Sequence, residues 1–195
     1  MQWKVIEISD GPIGTLDEII ELKRGKIGEL LVSGPMVTRG YVTRLDQNEL
    51  HKVIDGDAVW HRMGDVGYFD SKDRFWFCGR KAHRVVAGER TYFTIPCEAI
   101  FNAHPRVEKS ALVGRGPAGQ KTPVIVVQPS DPSLANNLTE RENLIAELRD
   151  LAMRNPLTQR IDQFVIRENP LPVDIRHNSK IFREKLSAEI ERVTR

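Results

Sequence analysis

HRMGDVGYFDSKDRFWFCGRKAHR, His61–Arg84, is the stretch on which the division of the chain turns. Val59–Arg62 (VWHR) and Arg74–Gly79 (RFWFCG) are short β-branched or aromatic runs and read as strands. Asp70–Asp73 (DSKD) lies between them as a turn signal. Upstream, Val5–Ile8 (VIEI) and Glu29–Gly34 (ELLVSG) repeat the strand pattern, Asp10–Gly14 (DGPIG) is a turn and Leu45–Leu50 (LDQNEL) a helical turn. This half is expected to form an all-β layer or distorted barrel.

Past Lys81 the pattern changes. Thr94 and Pro96 open a short helix carrying Ala99 and Ile100, since proline suits a first helical turn. Val107–Gly114 and Pro123–Pro129 predict a hairpin, and Asp131–Asn137 a loop. Thr139 and Glu142 have the spacing of a capping box for a helix ending at Met153, with Leu144, Ile145, Leu148, Leu151 and Ala152 on its inner face. Ile161–Glu168 reads as a strand, and a last helix buries Phe182, Leu186, Ile190 and Val193. The second half is therefore a small α+β domain, with the boundary near Lys81–His83. Gly114–Thr122 (GRGPAGQKT) contains G-x-G-x-x-G, but a proline and a β run follow it. A phosphate loop needs a helix N-terminus there, so the segment is read as a hairpin turn.

The 195 residues are 40% hydrophobic and 29% charged, as in ordinary globular proteins. A net charge of +2, with its basic residues dispersed, gives no footprint for nucleic acid. No apolar run has the length of a membrane span, and MQWKVIEISDG is not a signal peptide. Cys78 and Cys97 read as reduced core thiols of a cytoplasmic protein, and the scattered histidines show no ligand spacing.

One residue is awkward. In LPVDIRHNSKIFREKL, Leu171–Leu186, Asp174, Arg176, His177, Asn178 and Ser179 precede the last helix and Lys180 stands at the junction. A helix N-terminus favours an acid over a cation. The ordinary reading is a solvated surface lysine.

Four segments, Gly25–Tyr41 (GKIGELLVSGPMVTRGY), His61–Asp70, Phe77–Val86 (FCGRKAHRVV) and Leu171–Leu186, occur in an order and spacing that resemble the adenylate-forming superfamily. That superfamily comprises acyl-CoA synthetases, luciferases and peptide-synthetase adenylation domains. HRMGD, WFCGRKAHRV and DIRHNSKIFREKL are similar to fatty-acyl ligases of olefin biosynthesis, the β-lactone synthetase type. The resemblance implies an α+β chain in two parts. Residues 1–81 would be the final, distorted barrel-like β-subdomain of a large N-terminal adenylation domain, and residues 82–195 its mobile C-terminal lid. Met1 would then begin a truncated reading of a longer enzyme. The phosphate loop, adenine-stacking segment and acyl pocket would lie upstream, and this chain alone would not turn over.

The implied activity is ATP-dependent activation of a long-chain fatty acid, a 3-hydroxy acid, as acyl-adenylate with release of pyrophosphate, followed by β-lactone closure. An acyl-CoA thioester ligase is the alternative, and a non-catalytic, protein-binding lid-like module is a third reading. ATP and Mg2+ are implied, with CoA only for a thioester ligase. The implied partners are the fatty acid, the missing N-terminal part of the same enzyme, and peripheral association with membrane or pathway enzymes.

By position, Asp65 matches the ribose-binding acid, whose carboxylate accepts from both hydroxyls; on its own it reads equally as a turn acid between Gly64 and Gly67. Arg80 matches an arginine whose fork holds ribose and phosphate oxygens. Gly88 and Arg90 resemble a glycine-x-arginine pair that meets phosphate, with a few extra residues before Pro96 and Glu98. Lys180 matches the catalytic lid lysine of adenylation. Ala82 stands where the family carries an Asp or Lys hinge. Either Lys81 and its neighbours absorb the motion, or lid rotation matters less here, which fits closure by an internal hydroxyl.

Overall fold

The computed structural model describes residues 1–174 and 177–193, apart from the side chains of residues 177–179 and 193. It divides into two units, Met1–Ala82 and His83–Arg195.

In the first unit, β1 (Gln2–Ile6), β2 (Gly28–Ser33), β3 (Lys52–Asp55), β4 (Ala58–Phe69) and β5 (Phe75–Arg80) form one antiparallel sheet. A short helix, α1 (Asn48–His51), leads into β3. β4 is the spine. β2 pairs with it on one side, while β3 takes its first half and β5 its second. The sheet runs β1-β2-β4-β3 with β5 added on β4, so its ends do not meet. Of the two expectations, an all-β layer and a distorted barrel, the open layer holds and the barrel is corrected, because β4 is long enough to seat two partners end to end. Closure needs first and last strands to pair. Ile6, Ile13, Leu31, Val53 and Trp60 form the apolar core.

The segment MGDVGYF continues β4, where its glycines had suggested a turn. Gly64 has φ +66°, and the ladder with β5 shifts register between Val66 and Gly67. A Cβ at Gly67 would lie 2.3 Å from Trp76 O, so glycine is what lets β5 approach.

In the second unit, β6 (Val85–Ala87) and β7 (Arg90–Tyr92) form a hairpin ahead of α2 (Thr94–Asn102). β8 (Val107–Arg115) pairs antiparallel with β9 (Thr122–Pro129), and the glycine-rich loop joins them. α3 (Leu138–Met153) crosses to β10 (Gln163–Ile166), which pairs parallel with β9. A further antiparallel pair, β11 (Val173–Asp174) and β12 (His177–Ile181), precedes α4 (Arg183–Val193).

Strand alternation divides the core. Leu112, Ile125 and Val127 face Phe101, Leu144 and Leu148 from α2 and α3. Ala111, Val113, Val124 and Val126 face Ile181, Leu186 and Ile190.

Three local readings are corrected. Asn137 caps α3, accepting from Glu140 N at 3.2 Å, so the Thr139–Glu142 box is not used. Asp131–Asn137 holds a 3-10 turn, Pro132–Asn136, started by Asp131 accepting from Ser133 N at 2.9 Å. Lys180 lies in β12, ahead of the helix, so no helix dipole opposes it. Phe182 is half-buried just before α4, while the side chain of Val193 and all of Arg176 lie outside the described residues. Among the described residues no helix is long and apolar enough to cross a membrane.

Candidate functional site

Antiparallel pairing sets Asp65 of β4 directly across from Arg80 of β5. Arg80 Nη1 lies 2.8 Å from Asp65 Oδ1, and the same nitrogen donates to Met63 O at 3.3 Å. Oδ1 is buried and accepts no aligned hydrogen bond. Burial raises the Asp65 carboxyl above its usual range, and the Arg80 cation pulls it back. The pair therefore combines an ionisable carboxylate, about a fifth exposed, with a guanidinium that is more than half exposed.

The same unit holds a charge cluster that sequence reasoning missed. Glu29 and Arg62 are fully buried. Arg62 donates to Glu29 Oε2 at 2.8 Å, to Ser9 O at 2.6 Å, to Gly11 O at 2.7 Å and to Leu50 O at 3.0 Å. Lys81 Nζ donates to Ser9 O at 2.9 Å and to Glu29 Oε2 at 3.1 Å. Desolvation lowers the Lys81 ammonium, and Glu29 opposes the shift. The available signal was Arg62 sharing a strand face with the buried Trp60. The Lys81 side chain is thus tied inside the first unit. Ala82 follows it within a 3-10 turn, Lys81–His83.

Gly88 and Arg90 share the β6–β7 hairpin. Gly88 has φ +63°, the left-handed conformation such a tight turn requires, and its N–H donates to Gly119 O at 2.8 Å. Arg90 donates to Pro156 O and lies 5.2 Å over the Tyr92 ring. Its guanidinium is engaged within its own unit.

Lys180 is exposed on β12. Its neighbour Ile181 is buried and pairs with Val173, and Phe182 N donates to Pro172 O at 2.8 Å. Arg183 opens α4 and reaches Glu98 of α2, at 2.6 Å to Oε1 and 3.1 Å to Oε2. Glu98 also accepts from Leu112 N at 2.7 Å. Desolvation raises the Glu98 carboxyl, against which the Arg183 charge acts. Thr94, Cys97, Glu98 and Phe101 are the buried residues of α2, so Glu98 occupied an inward helical position legible in the sequence.

The structure therefore brings Asp65 and Arg80 together in the first unit. Gly88 with Arg90, and Lys180 apart from them, sit on two antiparallel strand pairs of the second. Among the described residues no group of three His, Cys, Asp or Glu side chains could hold a metal ion.

No protein-family model matches the chain. The o-succinylbenzoate CoA synthetase of Bacillus subtilis, solved with its acyl-adenylate intermediate, superposes with a TM-score of 0.68 at 21% identity, over 94% of this chain and 33% of its own. At that identity the fold is shared. The olefin beta-lactone synthetase of Xanthomonas campestris pv. campestris is 42% identical over 189 residues, 94% of this chain and 33% of its own. That of Stenotrophomonas maltophilia is 38% identical over 198 residues, 97% of this chain and 35% of its own. The chain belongs to the adenylate-forming superfamily. It spans about a third of the length of the olefin beta-lactone synthetases it matches. The four adenylate-forming signatures fall on β2, on β4, across β5 to β6, and on the β11–β12 pair with the start of α4.

Proposed function

We propose that this chain provides the ribose-binding strand pair and the mobile lid of an ATP-dependent ligase that converts a carboxylic acid to an acyl-adenylate. The observation that carries the reading is the Asp65–Arg80 pair. A carboxylate that is about a fifth exposed, paired at 2.8 Å with a guanidinium that is more than half exposed, suits a ligand with hydroxyl donors and phosphate oxygens. ATP is such a ligand. Its α-phosphorus is attacked by the substrate carboxylate, and the bond to pyrophosphate breaks. Negative charge then moves onto phosphate oxygens, and preorganised cations stabilise it. Asp65 holds the ribose, Arg80 neutralises Asp65 and meets ribose and phosphate oxygens, and Lys180 presents its ammonium to the reacting carboxylate and α-phosphate. Gly88 and Arg90 hold the lid loop, since the Arg90 fork is spent on Pro156 and Tyr92. Among the described residues no three His, Cys, Asp or Glu side chains could cage a magnesium ion; one arriving with ATP would neutralise charge on the phosphate oxygens.

The acid is a long-chain 3-hydroxy fatty acid, a reading supported by the olefin beta-lactone synthetases that match nearly the whole chain. Its hydroxyl oxygen attacks the acyl carbonyl, the bond to AMP breaks, and the hydroxyl proton leaves as the β-lactone closes. Coenzyme A as the acceptor is the competing outcome, supported by relatives such as the 2-succinylbenzoate–CoA ligase of Bacillus cytotoxicus, 31% identical over 117 residues. Product analysis of the full-length enzyme decides between them. With ATP and a 3-hydroxy fatty acid, the proposal expects AMP, pyrophosphate and β-lactone without coenzyme A. Thioester formed only when coenzyme A is present would replace the lactone reading, and no acid-dependent pyrophosphate would end both.

A further inference from the structure

We infer that Glu98 and Arg183 form a positioning pair for Lys180, fixing the direction in which that lysine leaves the second unit. The inference rests on the role proposed above for Lys180. One carboxylate joins three elements. Glu98 Oε1 accepts from Leu112 N of β8 at 2.7 Å, and its two oxygens receive the Arg183 fork at 2.6 and 3.1 Å. Arg183 Nη1 also lies 3.4 Å from Leu112 O. Together they cover β8 where it forms the outer edge of the β10-β9-β8 sheet.

Arg183 stands three positions after Lys180, and the residues between are pinned as well. Ile181 sinks into the cluster of Val113, Val124 and Leu186, and the Phe182 N–H is taken by Pro172 O. Lys180 is therefore the first exposed residue beyond a run of three anchored ones. Apolar anchors permit sliding and tilt. A bidentate guanidinium–carboxylate pair fixes distance and angle together.

Folding alone gives a weak reason for these charges, because an apolar pair of similar volume often serves a core as well as a buried ion pair. Placement of a reacting group gives a strong one, since an error of about 1 Å in position costs about a hundredfold in rate. The structural alternative is that the pair only protects the edge of β8, and the two readings predict different kinetics.

The test uses the full-length enzyme carrying Arg183→Lys, Arg183→Met or Glu98→Gln, with acid-dependent pyrophosphate release followed under single-turnover conditions. Arg183→Met and Glu98→Gln slow release about tenfold to a hundredfold, with KM for ATP and acid within about twofold. Arg183→Lys keeps the charge but loses the fork, and recovers only part of the rate. In a Lys180→Ala background each substitution costs at most about twofold more, because groups acting as one unit are not additive.

Equal losses in both backgrounds, KM rising in step with the fall in rate, or full rates in Arg183→Met would each overturn the inference. Hydrogen exchange supplies the folding control. Amides of residues 180–182 exchange faster in Arg183→Lys while those of α3 do not, and equal acceleration of α3 refutes a positioning role. Near-normal release by Lys180→Ala sinks the lysine assignment and this inference with it. A slow Lys180→Ala beside an unimpaired Arg183→Met sinks this inference alone.

Discussion

Glu29→Gln isolates the charge cluster of the first unit. The carboxylate is fully buried, 2.8 Å from Arg62 Nη2 and 3.1 Å from Lys81 Nζ. Glutamine preserves volume and one acceptor but deletes the negative charge those two cations share. Breaking a buried ion pair from one side costs about 3–5 kcal/mol, because the partner charge stays desolvated. A unit the size of Met1–Ala82 holds only about 4–12 kcal/mol of stability in total. With a urea slope of about 1 kcal/mol/M for so small a unit, the unfolding midpoint falls by about 3 M or more.

The chain supplies its own separate probes. All three tryptophans, Trp3, Trp60 and Trp76, belong to the first unit, whereas α2, α3 and α4 of the second dominate the helical signal in the far ultraviolet. Urea titration of Glu29→Gln should displace the tryptophan transition and leave the helical one in place. A tryptophan shift worth less than about 1 kcal/mol would put the cluster among surface pairs and refute the reasoning, as would two transitions moving together.

Four further outcomes follow from local chemistry. Asn137→Ala should cost about 1 kcal/mol in the helical transition, while Thr139→Ala costs a few tenths at most, because only the former removes the cap of α3. Asp70 accepts from Trp76 Nε1, Arg74 and Lys72 N, which holds its carboxyl well below its ordinary value of 3.8. Its stabilising contribution is present above pH 3.8 and is lost as pH falls toward the folded value, so the urea midpoint of the tryptophan transition should fall as pH drops below 3.8, and less so in Asp70→Asn. Burial pushes the Cys78 thiol up to about 11, so Cys78 and the equally buried Cys97 should resist alkylation at pH 8 until urea unfolds them. In the full-length enzyme, Arg80→Met removes the charge that restrains the raised Asp65 carboxyl, and the acid limb of kcat/KM for ATP should move to higher pH.

Period and turn chemistry made much of the fold readable. The β runs of Val107–Gly114 and Pro123–Pro129 exposed the β8–β9 hairpin, and the helical spacing of Leu144, Leu148 and Ala152 exposed the inner face of α3. Where local signals competed, the reading failed. Gly64 and Gly67 made Asp65 look like a turn acid, although Gly64 serves a left-handed irregularity within β4 and Gly67 the close approach of β5. Thr139 offered a capping box, but Asn137 already held the orphan amide at the start of the helix. Lys180 read as a helix-junction cation because the pair of β11 and β12 is too short to show a period.

The buried pairs Glu29–Arg62 and Glu98–Arg183 join residues far apart in the chain. Nothing local announces such pairs except a charge on an inward face. Among the candidate residues, only the Asp65–Arg80 juxtaposition follows from strand register, and the motif spacing held that information without stating it.

Acid-dependent pyrophosphate release by the full-length Lys180→Ala enzyme is the most direct measurement of the proposed chemistry. Loss of a preorganised cation at the reacting phosphate should slow release by about 10²–10³-fold, with ATP affinity retained through Asp65 and Arg80. Release at a near-normal rate would contradict the account.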